Sequence, residues 1–242
     1  MPNPAADTLN HLLAALTPAA RDRLSAQLEP VRLTLGEVIY ESGGALLHVF
    51  FPTTAIVSLL TQMEDGSSAE IAVVGNDGVV GVALFMGGES MLNRAVVQCG
   101  GMAYRLEATL LKEEFRRGES LQSQLLRYTQ ALITQMAQTA VCNRHHMLHQ
   151  QLCRWLLLSL DRRSGSELVV TQELIANLLG VRRSGVTEAA GRLQAQGLIR
   201  YSRGRIKVLD RPGLEAQACE CYQVVKSEAQ RLLAALPADP PR

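Results

Sequence analysis

The run that most constrains how this chain can fold is residues 171–209, TQELIANLLGVRRSGVTEAAGRLQAQGLIRYSRGRIKVL. Thr171 suits an N-cap, because its hydroxyl can accept a backbone N–H left orphaned in a first helical turn. Leu174, Ile175, Leu178 and Leu179 recur at helical spacing, and Gly180 stands where a left-handed residue ends a helix. Val181 leads into a second helix whose buried side is Val186, Ala189, Ala190 and Leu193. Two helices crossing in a tight turn leave no room for a large side chain at Ala176. Small Ala176, then Gly180, then Val186 is the spacing of a helix-turn-helix.

The exposed side of the second helix carries Arg182, Arg183, Ser184, Gly185, Thr187 and Glu188 in its first turns. Those turns of a recognition helix reach base edges in the major groove. An arginine fork matches the two acceptors of guanine, and a Glu can accept from a cytosine amine. YSRGRIKV follows as a small hairpin in which Arg203, Arg205 and Lys207 surround Gly204, where a wing would meet phosphates. Thr171 and Gln172 complete the candidate DNA-binding set.

Charge is distributed to match. The whole chain of 242 residues is nearly neutral, yet residues 1–150 hold 10 Lys+Arg against 14 Asp+Glu, and residues 151–242 hold 14 against 9. A basic C-terminal part attached to an acidic part suits a polyanion-binding module joined to something with another job. Cysteines 99, 142, 153, 219 and 221 are odd in number and form no C-x-x-C pair, and no leader-like or eighteen-residue apolar run appears. A reducing cytoplasm and no membrane partner are expected.

In chain order, residues before about Asp7 read as a loose tail. Leu9, Leu12, Leu13 and Leu16 share a helical face, and Thr17-Pro18 starts a second helix running through Leu24 and Leu28. From Val31 to about Leu106, β-rich runs are punctuated by glycine corners, which predicts a closed antiparallel barrel or jelly roll. GNDGVVG at residues 75–81 lacks a following helix and a βαβ unit, so it is not read as a dinucleotide loop. A long helix follows, starting at Glu107 or at Ser120. Its stripe Leu121, Leu125, Tyr128, Leu132 and Met136 is expected to form a homodimer seam. His145, His146 and His149 lack the Glu of the HExxH zinc motif and are read as a hinge, with no metal and no cofactor. The next helix places Leu152, Trp155, Leu156 and Leu160 in the DNA domain's core, and Ser164-Gly165-Ser166 turns into a short strand. A single amphipathic helix from Leu214 would set Cys219 and Cys221 on different sides, as small, partly buried residues. The proline-rich end reads as a tail.

Taken together, these elements resemble the Crp/Fnr family of bacterial transcription regulators, from about Leu24 to Leu236. The most specific parts are the helix-turn-helix and GVVGVALFMGGESMLNRAVVQ, similar to that family's ligand cradle. The resemblance implies an α+β chain in three parts. A cyclic-nucleotide-binding-like sensor barrel with N-terminal helices would span 1–118 and a dimerisation helix 119–145. A winged helix-turn-helix with a C-terminal helix would span 146–242. It also implies an effector pocket at Gly81, Val82, Asn93, Arg94 and Tyr128. Cyclic-AMP-responsive members carry Gly-Glu and Arg-Ser-Ala there. This chain has Val82 in place of the Glu and Asn93 in place of the Arg, with Arg94 one residue along. An apolar side chain cannot accept ribose hydrogen bonds, so an effector other than cyclic AMP is expected. No cysteine precedes Cys99 to hold an iron–sulfur cluster, and Ala83-Leu84-Phe85-Met86 replaces the haem ligands of carbon-monoxide sensors. Arg183-Ser184-Gly185-Val186-Thr187-Glu188 departs from the type member's Arg-Glu-Thr-Val-x-Arg, which implies a different half-site.

The expected function is a homodimeric, sequence-specific transcription regulator of double-stranded DNA, working with RNA polymerase and not an enzyme. Two rivals remain open: a non-specific architectural DNA binder, and a cupin-type metalloenzyme. The second would need several inward histidines, and the barrel region offers His48 alone.

Overall fold

The computed structural model describes residues 10–163 and 165–233. Two short helices come first, α1 (His11–Ala14) and α2 (Pro18–Ser25). Asn10 caps α1, its side-chain oxygen accepting from the amides of Leu12 and Leu13. Proline opens α2 as expected, but the helix stops at Ser25, short of Leu28, because β1 begins at Glu29. The tails at either end of the sequence and Ser164 lie outside the described residues.

Seven strands form the N-terminal body: β1 (Glu29–Leu33), β2 (Val38–Tyr40), β3 (His48–Pro52), β4 (Ile56–Gln62), β5 (Ser68–Val74), β6 (Arg94–Cys99) and β7 (Gly101–Glu107). They pair antiparallel in two sheets, β1-β7-β3 and β2-β6-β4-β5, so the body is a jelly roll of two sheets rather than one continuously hydrogen-bonded barrel. Gly101 is where the body tolerates no substituent, since a Cβ there would sit 2.4 Å from the Ala55 nitrogen. A short helix α3 (Ala83–Met86) interrupts the strands.

Helix α4 (Ala108–Arg116) is separate from the long helix α5 (Ser120–His145). The stripe expected to meet a partner is used within the chain. Leu121, Leu125, Tyr128 and Leu132 are buried in the jelly-roll core, and Met136 packs against it. Periodicity identified an apolar face, and the chain's own sheets cover it. A second face stays open: Leu126 is 52% exposed and Ile133 57% exposed, and Gln130, Ala137 and Ala140 beside them are also exposed. These residues step by four and three, the spacing of a coiled-coil seam.

The chain turns at His146, whose extended backbone ends α5, and re-enters a helix as α6 (Leu148–Asp161). Strand β8 (Glu167–Val169), helices α7 (Gln172–Leu179) and α8 (Arg183–Ala195), and the hairpin β9 (Ile199–Ser202) and β10 (Arg205–Val208) complete the winged module. The three strands order β8-β10-β9. The last helical segment is not continuous. Helix α9 (Arg211–Gln217) ends at an extended Ala218 (ψ 155°), and α10 (Glu220–Leu233) starts two residues later. Cys219 therefore lies in a break rather than on a helix, and the expectation that Cys219 and Cys221 face apart does not hold.

The second core joins the two parts. Leu152, Trp155, Leu156, Ile175, Val186 and Leu193 share it with Ile56, Leu60, Val73 and Cys99 from the jelly roll. The residues of GNDGVVG make the joint beside it. A Cβ on Gly75 would lie 2.5 Å from Arg162 Cβ, and one on Gly78 2.5 Å from the Tyr128 ring. Asp77 pairs with Arg162 at 3.0 Å, and Asn76 accepts from the His11 amide. The glycines here permit close approach of α5 and α6, not of a nucleotide.

A buried polar chain crosses the same boundary. Ser58 Oγ lies 2.5 Å from Glu70 Oε2 and 3.0 Å from Gln98 Oε1, and Gln98 Nε2 donates to Ser159 on α6. Burial pushes the Glu70 carboxyl up to about 7, opposed by the Ser58 hydrogen bond and by Arg154. The folded state therefore holds this proton more tightly than the unfolded chain, so its stabilising contribution is full below the unfolded value of 4.5 and is lost as pH rises through about 7. Glu70→Gln should flatten that slope, which at its steepest is about 1.4 kcal/mol per pH unit. Denaturant unfolding of both proteins across pH 4.5–8 measures it, and parallel profiles would remove Glu70 as the cause.

Candidate nucleic-acid interface

The local chemistry of α7 and α8 follows from their ends. Thr171 caps α7, its Oγ1 accepting from the Leu174 amide at 3.1 Å. Gly180 adopts the left-handed conformation (φ 66°, ψ 35°) and ends α7 on the Ala176 carbonyl. Ala176 is buried, as are Val186, Ala189, Ala190 and Leu193 of α8. The tight turn itself abuts the jelly roll, where a Cβ on Gly180 would meet the Ala69 methyl at 3.3 Å.

With that side of α8 buried, its first turns project outward. Arg182 at the N-cap, then Arg183, Ser184, Thr187 and Glu188, are exposed. Thr187 Oγ1 donates to Gln172 Oε1 at 2.8 Å, which ties the start of α7 to the recognition helix. Glu188 lies 3.8 Å from Arg192, one turn on, a loose surface pair that leaves its carboxylate accessible. Gly185 is half-buried against Leu148, and a Cβ there would come within 2.8 Å of that leucine's methyl. The absence of a side chain there allows α8 to pack closely on α6.

The wing turns at Arg203 (φ 50°) and Gly204 (φ 72°). Two left-handed central residues make the tight hairpin turn whose twist matches its strands. Arg203 is the one non-glycine among the described residues with positive φ, a conformation costing roughly 1–2 kcal/mol for a residue with a Cβ. On the strands, Lys207 stands directly across from Arg200. Both are exposed, and like charges opposite each other are destabilising unless an anion lies between them. Arg205 instead pairs with Glu167 at 2.9 Å. Among the described residues no ion pair engages Arg182, Arg183, Arg200, Arg203 or Lys207.

A cleft of about 450 Å³ lies between α7, the start of α8 and the wing, lined by Thr171, Gln172, Arg183, Tyr201, Arg203 and their neighbours. It gathers residues from all three candidate segments. Sequence reasoning missed Tyr201, Ser202 and Arg200. Tyr201 donates its hydroxyl to the Val170 carbonyl at 3.1 Å, and burial raises its phenol while the nearby Arg183 charge opposes that shift. The alternation along IRYS marks Arg200 as outward-facing and could have revealed it.

The residues of the expected effector pocket are not arranged as an anion receptor. Gly81 (φ 105°) and Val82 are buried, and Val82 belongs to the apolar core. Asn93 is buried and accepts from the Tyr40 hydroxyl at 3.0 Å. Arg94 is half-buried, and its Nε is paired with Glu41 at 2.9 Å. Tyr128 is buried beside Gly78, and burial raises its phenol above the ordinary value.

A jelly roll, a long helix and a winged helix-turn-helix with unpaired cations on its outer face define a nucleic-acid-binding architecture. Residues 150–217 match the Crp-like helix-turn-helix domain, and the chain carries that domain. No curated protein matches the chain. Its fold is that of solved Crp/Fnr-family regulators. One is a protein from Eubacterium rectale classed as a transcriptional regulator of that family, at 17% identity and TM-score 0.66 over 87% of this chain and 98% of the other. FixK2 from Bradyrhizobium japonicum gives 16% and 0.66 over 79% and 98%. The c-di-GMP-responsive global regulator CLP from Xanthomonas campestris gives 15% and 0.62 over 79% and 99%. At these identities the likeness concerns the fold. Among the described residues no helix is long and apolar enough to cross a membrane.

Proposed function

We propose that this protein is a homodimeric transcription regulator that reads inverted-repeat sites in double-stranded DNA, acts with RNA polymerase in the cytoplasm, and is not an enzyme. The observation that carries the reading is the set of unpaired cations at Arg182 and Arg183 on α8 and at Arg200, Arg203 and Lys207 on the wing. Arg183 is the base-reading residue, and the wing cations neutralise phosphate. The second copy is held through the open face of α5 at Leu126, Ile133 and Ala140, which places two recognition helices about 34 Å apart on one face of the duplex. The jelly roll acts as the sensor part. Its effector is not cyclic AMP bound in the family manner, because Val82 lies in the apolar core and Asn93 is committed to Tyr40.

Selection of bound sites from random DNA tests this, followed by titration of the selected site against scrambled duplex. Arg183→Ala should lower discrimination at one base pair of each half-site by roughly 1–3 kcal/mol. Arg203→Asn should weaken all duplexes alike and reduce the salt dependence, while relieving left-handed strain at the turn. Equal affinity of the unaltered protein for selected and scrambled DNA would instead make it an architectural binder. An Arg183→Ala protein with unchanged base preference would overturn the assigned contact.

A further inference from the structure

Three sulfurs form a small buried cluster apart from both apolar cores: Cys142, Cys219 and Cys221. His146 joins them, and the four potential ligand atoms all lie within 4.8 Å of one another. We propose that Cys142, His146, Cys219 and Cys221 form a tetrahedral site for a zinc-class divalent metal, which clasps the end of α5 to the start of α10.

Two of the ligand separations lie close to what such an ion requires, and all of them fall within 4.8 Å. Metal–sulfur bonds of about 2.3 Å and metal–nitrogen bonds of about 2.0–2.1 Å at tetrahedral angles set ligand atoms about 3.8 Å apart for two sulfurs and about 3.6 Å for sulfur and nitrogen. Cys142 Sγ lies 3.5 Å from Cys219 Sγ, and Cys221 Sγ lies 3.5 Å from His146 Nδ1. A disulfide needs sulfurs near 2.05 Å. Local structure explains the convergence. Cys142 and His146 lie one turn apart at the end of α5, and extended Ala218 redirects the chain so that Cys219 and Cys221 both turn toward them.

The surroundings also fit a metal better than three packed thiols. His146 presents Nδ1 to the cluster while its Nε2 lies 3.3 Å from Glu220 Oε2, the carboxylate–histidine arrangement that fixes the ring of a ligating histidine. Three thiolates with neutral histidine around a divalent ion carry one net negative charge. Buried Arg154, which donates to Thr139 at 2.7 Å, exerts its charge on Cys142 and Cys221. Loading the ion on three thiols releases their protons to solvent. All four positions are taken by protein, so the site is closed and structural, with no open position for catalysis. Its place at the α5–α6 hinge makes the posture of the DNA-binding module depend on metal.

The test uses the full-length, tag-free chain kept reduced, and Zn²⁺ and Co²⁺ as the probes. Native mass spectrometry should show one zinc per chain, removed by chelator and restored by Zn²⁺. Co²⁺ added to the stripped protein should produce thiolate-to-cobalt absorption and the visible bands of a tetrahedral centre. Cys219→Ser should abolish both signals, and Glu220→Gln, which keeps every ligand, should weaken zinc binding by about 10–100-fold. Should Cys219→Ser fail to fold, the Co²⁺ spectrum of the unaltered chain and the Glu220→Gln affinity decide alone. No thiolate absorption at stoichiometric Co²⁺, or a Cys142–Cys219 disulfide in chain alkylated directly from cells, would overturn the site. DNA binding enters none of these readouts, so the two proposals fail separately.

Discussion

Ile133→Glu is expected to turn a dimer into a monomer and to lower affinity for the inverted repeat by roughly 10²–10⁴-fold. Ile133 is 57% exposed on the open face of α5, between Leu126 and Ala140 at seven-residue spacing. Two copies meeting there would set Ile133 near its own counterpart, and a carboxylate on each would be buried unpaired. The monomer keeps one recognition helix, so its affinity for a single half-site should be unchanged. What disappears is the linkage that makes the second half-site bind at high effective concentration. Sedimentation equilibrium reports the first effect and titration with whole and half sites the second. The melting temperature of the separated monomer should move little, in contrast to a charge placed at buried Leu132. An Ile133→Glu protein that stayed dimeric would show that the copies meet elsewhere.

Arg162→Ala should cost about 3–5 kcal/mol of stability, because it leaves a partner charge stranded at the joint between the two parts. Arg162 is 6% exposed and Asp77 22% exposed at their side chains, so water screens the pair poorly. The same guanidinium donates to the Leu158 carbonyl at 2.8 Å, and its stem fills the space that Gly75 leaves open. Replacing both ends, Arg162→Met with Asp77→Leu, should recover much of the loss, since no uncompensated charge is then buried. Urea unfolding of the single and double variants measures the difference. A single variant within 1 kcal/mol of the unaltered protein would show that the pair is hydrated and weak.

The sequence is most legible where the information is local. Ala176, Gly180 and Val186 lie within one turn-bridged unit, so spacing alone identifies it, and Thr171 and Gly180 cap α7 as their chemistry dictates. The jelly roll is legible as a class through its glycine corners, but which strands share a sheet is not, because pairing such as β1 with β7 spans most of the body. Helix α5 shows a different limit. A periodic stripe reveals that something covers Leu121, Leu125 and Leu132, without revealing that the cover is the chain's own sheet. The cysteines show the same limit in sharper form. Cys142 and Cys219 are 77 residues apart, and only the break at Ala218 brings Cys221 to the same side. For the candidate interface, Arg200 became visible through strand register, where Lys207 opposite it makes two cations share one spot.

Ile56, Leu60, Val73 and Cys99 belong to the jelly roll by chain and to the DNA-binding module by packing. Domain boundaries usually fall where few contacts cross, and the interfaces between domains are usually rather polar. Here the seam runs through apolar interior. A chimera that swapped only the reader would inherit four foreign core residues, so specificity is more readily retuned by substitutions on the outer face of α8 than by transplantation.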